Sequence, residues 1–111
     1  MGKLSTHVLD TATGRPAAGV AVRLSRIHPG TTSELYAGRT NADGRTDGPL
    51  LEGGSLLVGT YELSFDVGAY FGGNDGFLSL VTVRFTVSDP AQNYHVPLLA
   101  SPWSYTTYRG S

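Results

Sequence analysis

The chain of 111 residues contains no cysteine, which excludes disulfide bonds, thiolate nucleophiles and cysteine-based metal sites. Its 8 lysine and arginine residues nearly balance its 9 aspartate and glutamate residues, so it lacks the basic field that binds nucleic acid. No apolar run is long enough to span a membrane, and the first residues lack the apolar stretch of a signal peptide. We therefore expect a soluble, cytoplasmic protein that binds neither nucleic acid nor membranes.

Apolar and polar residues alternate with a period of two along most of the sequence, and clusters of Gly, Pro, Asn and Asp divide it into short segments. This pattern predicts an all-β sandwich, and the length favours a single domain over residues 1–111. The predicted strands are 4–9, 20–24, 34–40, 59–67, 80–87, 94–99 and 105–109. The last two are expected to form a hairpin around Ser101-Pro102, and the run 103–108 is rich in the aromatic and β-branched residues that strands favour.

Several polar side chains are expected on the outer face of one sheet. If Val8 faces the core, His7 must lie on the opposite face of its strand. The side chains that can meet on this outer face, with a turn supplying the last of them, are those of His7, His95, Thr106, Tyr108 and Arg45. Histidine titrates near neutral pH and can move protons in both directions, while arginine stabilises developing negative charge. Such a set of groups suits hydrolysis.

Each of these residues also has an ordinary structural explanation. A single histidine on the outer face of a strand is common, and turns such as Asp43-Gly44 often precede a surface arginine. Two histidines are also potential metal ligands, but without cysteine or a spaced acidic partner the signal for a metal site is weak. Pro97 argues against regular strand pairing around His95, because proline favours edge strands and bulges. Periodicity alone therefore predicts a β-sandwich with a candidate site on its outer face.

A more specific pattern is carried by residues 4–17, Asp43-Gly44-Arg45, Gly59-Thr60-Tyr61 with Phe65-Asp66 and Ala69-Tyr70-Phe71, and residues 95–99 and 101–111. Together these stretches resemble the 5-hydroxyisourate hydrolases, which are transthyretin-like enzymes of purine degradation. The earlier motifs also occur in prealbumin-like modules that are not enzymes. The terminal Tyr108-Arg109-Gly110-Ser111, combined with His7, Arg45 and His95, is specific to the enzyme.

The resemblance implies a transthyretin-like (prealbumin-like) two-sheet β-sandwich with at most one short helix. It also implies a homotetramer, built as a dimer of dimers, with its substrate sites in the channel where two dimers meet. The implied reaction is hydrolysis of 5-hydroxyisourate to 2-oxo-4-hydroxy-4-carboxy-5-ureidoimidazoline, without a metal ion or an organic cofactor. Residues 72–76 are a poor match for the short helix that the family has after Tyr70-Phe71.

The resemblance also gives roles to individual residues. Water activation falls to His7 and His95, with Ser111 passing the proton, and either imidazole can be the base. Arg45 is expected to hold the urea-like edge of the substrate, because its planar fork of donors fits that edge better than a lysine does. The predicted catalytic residues are His7, Arg45, His95 and Ser111, and the predicted substrate-binding residues are His7, Arg45, Thr106, Tyr108 and Arg109. An alternative role for Arg109 is to hold the tail in place.

The alternative function is that of a transthyretin-type small-molecule carrier or a prealbumin-like structural module. Such a protein explains the fold and the composition equally well. Such a function does not explain why two histidines, an arginine and a polar tail converge on one face.

Overall fold

The computed structural model describes residues 2–73 and 76–110, which form two β-sheets packed against each other around one apolar core. The strands are β1 (Lys3–Asp10), β2 (Arg15–Pro16), β3 (Ala21–His28), β4 (Thr31–Arg39), β5 (Leu51–Glu52), β6 (Gly59–Asp66), β7 (Leu80–Val87), β8 (Tyr94–Ala100) and β9 (Tyr105–Thr107). The first sheet has the order β2-β1-β8-β9, with β5 also paired to β1, and the second has the order β4-β3-β6-β7. The predicted all-β sandwich is confirmed.

Alternation along the strands places one side of each sheet in the core. In β1, residues Leu4, Thr6, Val8 and Asp10 are buried while the residues between them are only half-buried. The buried Thr6 hydroxyl donates to the Val96 carbonyl at 2.7 Å, so this polar group keeps a partner inside the core. The period of two read from the sequence thus identifies the inner and outer faces of the sheets correctly.

Within residues 2–73 and 76–110 the helical segments are a 3-10 turn at Gly53–Ser55 and one α-helical turn, α1, at Val67–Tyr70. This agrees with the prediction of at most one short helix. The turn α1 precedes Phe71, and residues 74 and 75 of the poorly matching segment 72–76 lie outside the described residues. Val67 was expected to end a strand, and that prediction is wrong. The Asp66 carboxylate accepts a hydrogen bond from the Ala69 N–H at 3.1 Å, which caps the turn and stops the strand. No helix in the described part of the chain is long and apolar enough to cross a membrane.

The closing hairpin is present, but β9 is shorter than the sequence predicts. Trp103 and Ser104 lie in the turn because the Ser101 hydroxyl accepts hydrogen bonds from both of their N–H groups, at 3.3 and 3.1 Å. The Trp103 side chain is 71% exposed. A strand beginning at Trp103 is therefore not formed, because a serine-centred turn competes for its backbone donors.

Pro97 explains why β9 ends at Thr107 and not at Arg109. This proline lies inside the sheet, in β8 between β1 and β9, where the sequence analysis did not favour it. Pairing with β9 ends at Thr107 and resumes in the same register as a single bridge between His95 and Gly110. Pro97 therefore lies opposite Tyr108, where its missing N–H interrupts the ladder. The Thr107 hydroxyl donates to the Pro97 carbonyl at 2.8 Å and holds the strand end in place.

Asp10 connects the first turn of the chain to α1. Its buried carboxylate accepts hydrogen bonds from the Tyr70 hydroxyl at 2.9 Å and from the N–H groups of Ala12 and Thr13 at 2.9 and 3.2 Å. Burial works to raise the pKa of Asp10, but the hydrogen bonds from Tyr70, Thr13 and Ala12 outweigh it, so the pKa is lowered. The ionised carboxylate therefore stabilises the folded state.

Replacing Asp10 with alanine should lower the free energy of unfolding by about 2 kcal/mol or more, because three donors lose their acceptor. Because the folded pKa is lowered, this stabilisation is present above the unfolded value of about 3.9 and is lost as the pH falls through the folded pKa. Urea unfolding of the wild type and Asp10→Ala at pH 7 and at about pH 3 measures both effects. The exposed Asp89, which accepts a hydrogen bond within a turn, provides the control Asp89→Ala. An equal loss in both variants would contradict a special role for Asp10.

Candidate active site

The outer face of the first sheet brings the two predicted histidines together. His7 lies on β1 and His95 on β8, and the two strands run parallel with Ser5 beside His95 and His7 beside Pro97. Since Leu4, Thr6 and Val8 are buried on the inner side, Ser5 and His7 face outward, and His95 does so between the buried Tyr94 and Val96. Both imidazoles are half-buried on the same face, as the alternation pattern predicted.

Arg45 joins this face through a tight turn that packs along β1. The Gly44 carbonyl accepts a hydrogen bond from the Val8 N–H at 2.8 Å, and Arg45 forms an isolated antiparallel bridge with His7. Gly44 has a φ of +74°, and any side chain there would collide with the Val8 carbonyl. Asn41 holds the turn closed, because its side-chain oxygen accepts from the Arg45 N–H at 3.2 Å. The turn thus fixes Arg45 next to His7.

The positive charge of Arg45 acts on both histidines. Burial lowers the pKa of His7, and the nearby Arg45 lowers it further, while the backbone and carboxylate of Asp43 partly oppose the change. The pKa of His95 is lowered by burial, by Arg45 and by His7. Both imidazoles are therefore predominantly neutral near pH 7 and can accept a proton.

His95 is held on two sides. Its ring nitrogen Nδ1 lies 2.9 Å from the Ser5 hydroxyl on β1, and its backbone carbonyl accepts a hydrogen bond from the Gly110 N–H at 2.7 Å. A methyl group added at Gly110 would lie 2.7 Å from His95 Cδ2, so the backbone of the tail packs directly against the ring. An open cavity of about 370 Å³ lies over this region and is lined by Lys3, Ser5, Arg45, Asn93 and His95. Its size suits a small molecule.

The remaining predicted residues are distributed differently. Thr106 pairs with Leu99 and so shares the outer face, and Tyr108 lies opposite Pro97 with its side chain 57% exposed. Tyr108 lines a second groove, near β7, and not the cavity over His95. Ser111 lies outside the described residues. The roles of Thr106, Tyr108 and Ser111 in the reaction therefore stay predictions.

Arg109 is turned away from the two histidines. Its guanidinium lies 4.2 Å from the centre of the Tyr94 ring and donates to the Gln92 side chain at 2.9 Å and to the Asn93 carbonyl at 3.1 Å. These contacts fit the alternative role, in which Arg109 holds the tail in place. Within this chain they give no support to Arg109 as a substrate ligand.

Sequence reasoning gave Ser5 no function. The missing information was the parallel pairing of β1 with β8, which joins positions about 90 residues apart. Lys3 and Asn93 were missed for the same reason. In residues 2–73 and 76–110 no three His, Cys, Asp or Glu side chains are grouped so that they could hold a metal ion.

Comparison with known proteins gives consistent matches over the whole chain. A sequence model of the HIUase/Transthyretin family matches residues 4–110. The chain is 57% identical to the 5-hydroxyisourate hydrolase of Deinococcus radiodurans, over 97% of this chain and 95% of that protein. It is 50% identical to the 5-hydroxyisourate hydrolase of Ralstonia nicotianae, over the full length of both.

Solved structures show the same similarity. The structure of Klebsiella pneumoniae 5-hydroxyisourate hydrolase has a TM-score of 0.85 and 36% identity, with both chains covered completely. (S)-allantoin synthase has a TM-score of 0.92 and 44% identity over 99% of this chain, which spans only 44% of that longer protein. Sea bream transthyretin in complex with thyroxine has a TM-score of 0.87 and 30% identity, over 97% of this chain and 94% of that one.

Proposed function

This chain belongs to the HIUase/Transthyretin family, and we propose that it is a hydrolase that converts 5-hydroxyisourate to 2-oxo-4-hydroxy-4-carboxy-5-ureidoimidazoline in urate degradation. The observation that carries the proposal is the meeting of His7, Arg45 and His95 on one outer face. Neutral imidazoles beside a guanidinium supply a base and a site for developing negative charge. Relatives at 50% and 57% identity over nearly their full lengths bear the name 5-hydroxyisourate hydrolase.

The reaction opens the six-membered ring of the substrate by adding water to its acyl carbon. One imidazole takes a proton from the water as the new C–O bond forms, and the C–N bond then breaks as its nitrogen receives a proton. Arg45 faces the oxygen on which negative charge develops, and its planar fork also matches the urea-like edge of the substrate. His7 and His95 both lie close enough to Arg45 for its charge to act on them, so either can start the reaction.

The competing function is that of a small-molecule carrier, as in the thyroxine complex of sea bream transthyretin. Freshly generated 5-hydroxyisourate decays spontaneously, and the decay is followed by ultraviolet absorbance. An enzyme accelerates this decay when the protein is present at a small fraction of the substrate concentration. A carrier leaves the decay unchanged or slows it, and either of those results would overturn the proposal.

The activity should depend on pH through the two neutral imidazoles. Their pKa values are lowered from 6.5 by burial and by Arg45, so the base form persists below that pH. We expect kcat/KM to be highest near pH 8 and to fall toward acidic pH with a midpoint below pH 6.5, because kcat/KM reports the free enzyme. Initial rates between pH 5 and pH 8, corrected for the spontaneous decay, give the profile. A midpoint above pH 6.5 would contradict this assignment.

We further propose that the chain forms a homotetramer, a dimer of dimers, with the outer face of the first sheet turned toward a channel between the dimers. The cavity over His95 is open in the single chain, and the last hairpin carries three exposed aromatic side chains, those of Trp103, Tyr105 and Tyr108. Light scattering should give about four times the chain mass of 11.7 kDa. An active monomer at assay concentration would contradict a site formed between subunits.

A further inference from the structure

Ser5 lies beside His95 at the centre of the candidate site. The two residues are direct neighbours in the parallel pairing of β1 with β8, and the Ser5 Oγ lies 2.9 Å from His95 Nδ1. Both side chains are half-buried, so water competes only partly for this hydrogen bond. In the part of the chain that the structure describes, Ser5 Oγ has no other hydrogen-bond partner. Among the described residues, the Ser5 hydroxyl therefore hydrogen-bonds to His95 Nδ1 alone.

We propose that Ser5 is a positioning residue for the hydrolysis: its hydroxyl accepts the Nδ1–H of His95 and leaves the unprotonated Nε2 to take the proton from the attacking water. The inference rests on the proposed function, because it specifies which nitrogen of His95 works. The partner of one ring nitrogen decides the protonation state of the other. A neutral imidazole with Nδ1–H has its free electron pair on Nε2.

The hydrogen bond can persist through the whole proton transfer. When the water O–H breaks and a proton joins Nε2, His95 becomes an imidazolium with N–H groups on both nitrogens. Its Nδ1–H continues to donate to Ser5, now with a charged donor and a stronger bond. The ring need not rotate between the neutral and charged states, which keeps Nε2 in place for the return of the proton to the leaving nitrogen.

Gly110 restricts the ring from the other side. Its backbone lies so close to His95 that an added Cβ would be 2.7 Å from Cδ2 and 3.2 Å from Cβ of the histidine. A flipped imidazole would place Cδ2 beside the Ser5 hydroxyl, which would then lose its hydrogen-bond partner. The hydroxyl on β1 and the tail backbone thus favour a single ring orientation.

The test compares three variants of the intact protein in the 5-hydroxyisourate assay. Ser5→Ala removes the hydroxyl, and Ser5→Thr keeps it on a residue that suits a β-strand. Ser64→Ala is the matched control: Ser64 is also half-buried on a strand, and its hydroxyl lies 3.1 Å from that of Thr82 in the second sheet. Loss of the partner that orients a metal-bound histidine lowers metal affinity or activity by about 10- to 100-fold. By analogy, we expect kcat to fall by about tenfold or more in Ser5→Ala. We expect KM to change little, and Ser5→Thr and Ser64→Ala to keep wild-type kcat.

A spectroscopic measurement separates this inference from the proposed function. Nitrogen chemical shifts of neutral His95, recorded by NMR on the protein without substrate, report which ring nitrogen carries the proton. We expect protonated Nδ1 in the wild type and in Ser5→Thr, and a shift toward protonated Nε2 in Ser5→Ala. Neutral His95 protonated at Nε2 in the wild type, or unchanged kcat in Ser5→Ala, would overturn the role of Ser5. A wild type that does not accelerate the decay would instead overturn the proposed function, while the NMR result would still show whether Ser5 fixes the ring.

Discussion

Turnover of 5-hydroxyisourate should fall by orders of magnitude when any one of three side chains is removed, in the variants His7→Asn, Arg45→Ala and His95→Asn. A positioned general base contributes about 10²- to 10⁴-fold, and loss of a donor to the developing oxyanion costs about 10²- to 10³-fold. All three side chains lie on the outer face of the first sheet and none belongs to the apolar core. We therefore expect each variant to fold and to lose kcat/KM.

The chain offers matched controls for these substitutions. His28 lies at the end of β3 in the second sheet and provides His28→Asn, and the exposed Arg15 in β2 provides Arg15→Ala. Both control variants should keep wild-type kcat/KM. Thermal unfolding should give similar Tm values for the site variants and the controls. A site variant with near-normal turnover would remove that residue from the mechanism.

The comparison of the two histidines should also show whether they act as one unit. If one imidazole takes the proton and the other only binds substrate, His7→Asn and His95→Asn will differ in their effects on kcat and KM. If the two imidazoles act as one unit, the double variant should lose less than the product of the single losses, because groups that act together are not additive. A double variant that loses the full product would show that the two imidazoles act independently.

The sequence analysis predicted the faces of the strands because alternation is a local property. His7 beside the buried Val8, and His95 between the buried Tyr94 and Val96, could be assigned to an outer face without any knowledge of which strands pair. The Asp43-Gly44 turn was equally visible, because Asp-Gly is a strong turn signal. These local signals were sufficient to propose a site.

Contacts between distant segments were not predictable in this way. The parallel pairing that places Ser5 beside His95 depends on the order of strands in the sheet, and alternation carries no information about that order. The orientation of the Arg109 side chain depends on its contacts with Tyr94 and Gln92. The tail reaches these residues only beyond Pro97, where the pairing of β8 with β9 is interrupted. The strand-favouring run 103–108 forms a strand only from Tyr105 to Thr107, because the Ser101 hydroxyl accepts hydrogen bonds from the Trp103 and Ser104 N–H groups and Pro97 interrupts the pairing beyond Thr107.

The tail should be as important for hydrolysis as the histidines, and Gly110 tests this with one methyl group. In Gly110→Ala the new Cβ would lie 2.7 Å from His95 Cδ2, so either the tail or the imidazole must move. A displacement of about 1 Å at a catalytic group can cost about 10²-fold in rate, and we expect a loss of that order in kcat. Gly54→Ala is the matched control, because a Cβ there meets nothing within 4 Å. Wild-type kcat in Gly110→Ala would show that the tail does not position His95.

Deleting residues 108–111 should abolish measurable hydrolysis. The deletion removes Gly110 from the face of His95 and Arg109 from its contacts with Gln92, Asn93 and Tyr94, so the ring loses one of its two supports. Stability should change much less, because the β8–β9 pairing of residues 105–107 and the Thr107–Pro97 hydrogen bond remain. A frayed tail without function would leave both turnover and Tm unchanged. Full turnover in the truncated protein would exclude the tail from the reaction and would remove the feature that most clearly separates the enzyme from a carrier.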